Sequence, residues 1–116
     1  MDLYSSEERK KLAQEIAKHM SGWIVTKEGW KVSITPQDED RMSILVRYND
    51  QGNCLYFTGM VKDTDGFSIP VCTLRRTARR KPHVLANDIT RHLLPKMRAT
   101  VTKQAGTKKA GTVPGF

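Results

Sequence analysis

The chain has 116 residues, 38% of them hydrophobic and 28% charged, with 20 Lys+Arg against 12 Asp+Glu. That supports one ordinary domain with its own core, with no separate cofactor domain expected, so a multidomain enzyme is not expected. Apolar runs are short, as in Trp23-Ile24-Val25 and Ile44-Leu45-Val46, whereas a membrane span needs about 20 residues. No membrane partner is expected. The first nine residues carry acids and no apolar stretch of the secretory kind. Two cysteines, Cys54 and Cys72, are too few for a disulfide scaffold and are read as thiols, so a cytoplasmic location is expected.

The first element starts at Ser5 or Ser6, where Ser5-x-x-Glu8 has the spacing of a capping box. A helical stripe of Leu12, Ile16 and Met20 follows, with Arg9, Lys10, Lys11, Glu15 and Lys18 on the charged face, and Ser21-Gly22 ends it. From Trp23 the period changes to two. Trp23–Thr26, a Glu28-Gly29 turn and Trp30–Thr35 predict a hairpin. An acidic loop spans 36–41, and strands are expected over 43–48, 54–61 and 67–74, separated by turns rich in Asn, Asp and Gly. Pro70 marks the last strand as an edge or a bulge.

Alternation assigns Trp30, Val32, Ile34, Ile44, Val46, Tyr48, Leu55, Phe57, Val61, Phe67, Ile69 and Val71 to one buried face. Trp23 joins them in the core. Lys31, Ser33, Arg47, Tyr56, Thr58 and Cys72 belong to the opposite face. Cys54 and Cys72 are expected on neighbouring strands with the same facing. Pro82 opens a second helix with a stripe of Ala86, Ile89, Leu93 and Met97, and Pro95 either kinks it or lets it fray. Residues 104–116 repeat Ala-Gly-Thr around Lys108 and Lys109 and are expected to form a flexible basic tail.

The predicted fold is therefore α+β, a two-layer sandwich in which an antiparallel five-stranded meander carries an N-terminal and a C-terminal helix on one face. Residues 1–103 form that single domain. Helices covering the inner face leave no enclosed small-molecule pocket and no evident cofactor site.

Charge is the functional pointer. Residues 1–74 hold nine cations and eleven acids, whereas residues 75–116 hold eleven cations and the single acid Asp88. Such asymmetry points to a polyanionic partner. The stretch Arg75-Arg76-Thr77-Ala78-Arg79-Arg80-Lys81 concentrates five cations, and arginine binds phosphate oxygens in bidentate fashion, so it reads as a track for a nucleic-acid backbone. Arg91, Lys96 and Arg98 on the following helix, and Lys108 and Lys109 in the tail, extend it. Tyr56 is a candidate base-stacking residue because parity places it outward near Arg47.

Nothing in the sequence supports reading of base identity: the aromatic pattern of an RNA-recognition sheet, a Gly-x-x-Gly loop and zinc-finger spacing are all missing. His19, His83 and His92 are scattered, and Asp63-x-Asp65-Gly66 lacks the remaining ligands of a calcium loop, so no metal is expected. No nucleophile elbow or phosphate-binding glycine loop is present. The expected function is a non-enzymatic module that binds DNA or RNA through phosphates with little sequence preference. The alternative is a protein-interaction module, an assembly component or small inhibitor, whose basic strip docks on an acidic protein.

Overall fold

The computed structural model describes residues 2–111, with side chains from 2 to 104. Helix α1 (Ser6–Ala17) leads into five strands, β1 (Trp23–Glu28), β2 (Lys31–Pro36), β3 (Met42–Asn49), β4 (Cys54–Lys62) and β5 (Ser68–Thr77). They form one antiparallel sheet in sequential order, the predicted meander. A long C-terminal helix follows as α2 (Pro82–Asp88), a π-helical turn (Ile89–Leu93) and α3 (Leu94–Gly111). No helix among the described residues is long and apolar enough to cross a membrane.

Both helical segments cover the same face of the sheet. Val32, Ile34, Ile44, Val46, Leu55, Phe57 and Val61 are buried there against Ala13 and Ile16 of α1 and against Leu85, Ile89, Leu93 and Met97 of the C-terminal helix. Close approach depends on Gly59, because a Cβ at that position would stand 2.7 Å from the Met97 side chain. Pro95 has no N–H to donate and its ring would crowd the carbonyl of Arg91. The chain accommodates it with a π turn just upstream, where the Leu94 N–H reaches back to the Ile89 carbonyl, and the helix continues without fraying there.

Several expectations are corrected. The β1–β2 turn consists of Gly29 and Trp30, with Gly29 at φ +60°, so Trp30 leaves the strand and is 67% exposed. Phe67 lies in the β4–β5 turn, before the strand begins, and is 70% exposed. Trp23, by contrast, packs partly buried against the core. In β5, Gly59 faces Cys72 but Met60 faces Pro70, which leaves Val71 as an unpaired bulge residue. Parity changes there. Cys72 and Leu74 pack on the core side, while Thr73 bonds Thr58 on the other side at 3.2 Å. Cys54, opposite Thr77, therefore lies far along the strand from Cys72 and on the other face, and the two are unbridged.

The N-terminus of α1 also differs. Ser5 is the N-cap but its side chain makes no capping bond. Arg9, expected on the solvated face, is buried and donates to the carbonyls of Leu3, Tyr4 and Trp30, clamping the chain start and the β1–β2 turn to the helix.

Candidate nucleic-acid interface

In a meander, the β1–β2 turn, the β3–β4 turn and the exit of β5 share one end of the sheet, and the 37–41 loop and β4–β5 turn share the other. The basic connector leaves β5 at the first end. It is tied there by the Ala78 N–H, which donates to the Asn53 carbonyl of the β3–β4 turn at 2.8 Å. The second end holds Asp38, Glu39, Asp40, Asp63 and Asp65. Asp63 is spent on the turn itself, accepting from the Asp65 and Phe67 N–H groups at 2.9 Å each. Among the described residues no group of three or more His, Cys, Asp or Glu side chains is placed to hold a metal ion.

Among the described residues no element covers the face of the sheet away from the helices. Across it, Arg47 pairs in register with Tyr56 and Tyr56 with Arg75, giving an Arg-Tyr-Arg row over β3, β4 and β5. Arg47 and Arg75 are exposed and Tyr56 is half-buried. Lys31, not among the sequence-derived candidates, extends the row. Ser33 pairs with Leu45, and two residues further along both strands Lys31 and Arg47 face the same way. Strand parity relative to β3 is the sequence signal that reveals it. Its cross-strand neighbour on β1 is Glu28.

The connector itself divides. Arg76 lies on the core side, where its Nε donates to Asp88 of α2 at 3.0 Å, and Arg80 donates to the same carboxylate oxygen at 3.0 Å. Asp88, with a side chain 13% exposed, neutralises much of that pair. Arg75, Arg79 and Lys81 are exposed and, among the described residues, have no ion-pair partner. Beside Arg75 stand the Cys54 thiol and the Tyr56 phenol, and in that order they raise the guanidinium above its ordinary pKa.

Arg91, Lys96 and Arg98 are exposed on the helical layer, on the opposite side of the sheet from the Arg-Tyr-Arg row. The structure does not bring them into that row. Lys108 and Lys109 fall within α3, but their side chains lie outside the described residues. Burial pushes the Cys72 thiol up, with Lys96 opposing it, so no activated thiolate is indicated there.

The rest of the bare face forms an open groove of about 670 Å³ over β1 and β2, under the 37–41 loop. Hydroxyls of Thr26, Ser33, Thr35, Ser43 and Ser68 line it together with charges of both signs. No protein-family model, curated protein or solved structure matches the chain.

Proposed function

We propose that the protein is a non-enzymatic module that binds nucleic acid through backbone phosphates with little sequence preference. One observation carries the reading: Arg47, Arg75, Arg79 and Lys81 are gathered at one end of the sheet, exposed and without acidic partners among the described residues. Unpaired cations grouped this way supply the counterion-release term that dominates non-specific nucleic-acid affinity. The two unbridged thiols fit a cytoplasmic location.

The test is fluorescence anisotropy with labelled DNA and RNA oligonucleotides of mixed sequence over a salt series. Each phosphate contact adds about 0.7–0.9 to the log-log slope, so Arg79→Ala with Lys81→Ala should lower both affinity and slope. Absence of binding to either polymer at low salt would overturn the reading. The alternative, docking on an acidic protein, draws on a different feature, the exposure of Trp30 and Phe67, which suits a protein partner better than a phosphate backbone.

A further inference from the structure

Resting on that reading, we infer that the ligand is single-stranded nucleic acid laid across the strands, with a base stacked on Tyr56 and phosphates held by Lys31, Arg47 and Arg75 on either side. Lys31, Arg47, Tyr56 and Arg75 occupy successive strands β2 to β5 on one bare face, and strands are about 4.8 Å apart, so the row spans roughly 14 Å. That length suits two or three nucleotides. An aromatic ring in the middle of a cation row serves a single strand specifically, because the π-face of a base is available only when the base is unstacked.

Tyr56 is half-exposed on this face and is not stacked on another aromatic ring among the described residues. The aromatic pairs among the described residues are Tyr4 with Tyr48 and His19 with His83, and neither involves it. A duplex keeps its bases stacked inside and would meet a flat sheet only with its backbone, leaving Tyr56 without a partner. Direction follows from charge. A strand running along β3 or β4 toward the other end would approach Asp38, Glu39 and Asp40, whereas one running across the strands stays on the row of Lys31, Arg47, Tyr56 and Arg75.

The experiment compares anisotropy titrations of the full chain with oligo-dT, oligo-U and a blunt DNA duplex of matched length. The readout is the ratio of single-strand to duplex affinity. The wild-type ratio is expected to exceed ten, and loss of stacking in Tyr56→Leu should lower single-strand affinity by about 5- to 150-fold and bring the ratio toward one. Tyr56→Phe, which keeps the ring, should hold the ratio near the wild-type value. This guards against a folding artefact, as does confirming the melting temperature of each variant. The double variant Arg79→Ala, Lys81→Ala should weaken both ligands and preserve the ratio.

A wild-type ratio near one, or a ratio untouched by Tyr56→Leu, overturns the single-strand inference while leaving phosphate binding intact. Binding to no nucleic acid at all overturns both. Preference between oligo-dT and oligo-U distinguishes DNA from RNA as the source of the strand.

Discussion

On its inner face the β4–β5 pair carries Phe57, Leu74 and Arg76, and on its outer face Tyr56, Thr58 and Arg75. The two sets interleave in sequence yet serve different ends. Phe57 is fully buried and Arg76 is locked to Asp88, while Tyr56 is half-covered and Arg75 has no acid opposite it. The contrast teaches that a run of like residues is not a unit of function. What a cation is available to do depends on which face its position gives it and on whether an acid waits there.

The sharpest break in this comparison comes from aromatic truncation. Phe57→Ala should cost about 3–5 kcal/mol, enough to unfold a marginal domain, whereas Tyr56→Ala should cost about 1 kcal/mol or less. Chemical denaturation of the two variants measures the difference, and a reversed order would mean that the faces are inverted. Gly59→Ala comes next. The new Cβ would crowd Met97 and Leu93, and overpacking of this kind costs about 1–3 kcal/mol, toward the lower end because the Met97 side chain is flexible. Its signature is lost stability without lost affinity per folded molecule.

The adjacent arginines then sharpen the comparison within one dipeptide. Arg76→Ala should destabilise by about 1 kcal/mol, by leaving the largely buried Asp88 with only Arg80 as a partner, and should leave the salt slope of nucleic-acid binding nearly unchanged. Arg75→Ala should do the reverse, reducing the slope by about 0.7–0.9 with stability within about 0.5 kcal/mol of wild type. Thermal melts paired with salt titrations separate the two. The smallest effect concerns Glu7, which is paired with Lys27 at 3.0 Å. The Lys27 ammonium holds the Glu7 carboxyl below its ordinary pKa, so its contribution is present above the unfolded-state pKa and is lost as pH falls. Glu7→Gln should lower the melting temperature slightly at neutral pH and not in acid, where the wild-type carboxyl is itself protonated.

Much of the architecture was legible in the sequence because two physical periods dominate it. The two-residue alternation of Val32 and Ile34, Ile44 and Val46, and Leu55 and Phe57 survives intact in the sheet, and the helical stripe of Ala86, Ile89, Leu93 and Met97 lies on it. Alternation fails at element ends. Trp30 and Phe67 continue the apolar pattern on paper, but turns carry them off the sheet, and nothing in composition marks that boundary. Arg9 was hidden for another reason, since its partners are backbone carbonyls that no side-chain pattern encodes. For the candidate site, Arg47 beside Tyr56 was readable from parity. The pairing of Arg76 and Arg80 with Asp88 required knowing how α2 returns over the sheet edge.

The bulge at Val71 gives the chain length of β5 a meaning of its own. Upstream of it Ser68 and Pro70 share the face of Lys62 and Met60, and downstream Thr73 and Arg75 take over that face. A strict two-residue alternation from Pro70 would have delivered Cys72, Leu74 and Arg76 to the bare side instead. Loss of Val71 would set Pro70 and Cys72 side by side opposite Met60 and Gly59 in regular alternation, keeping Arg75 on the outer face and Arg76 against Asp88, whereas pairing all ten residues without the bulge would exchange the two arginines. Natural variation in this strand should therefore tolerate substitution or loss of Val71 more readily than an added residue beside it.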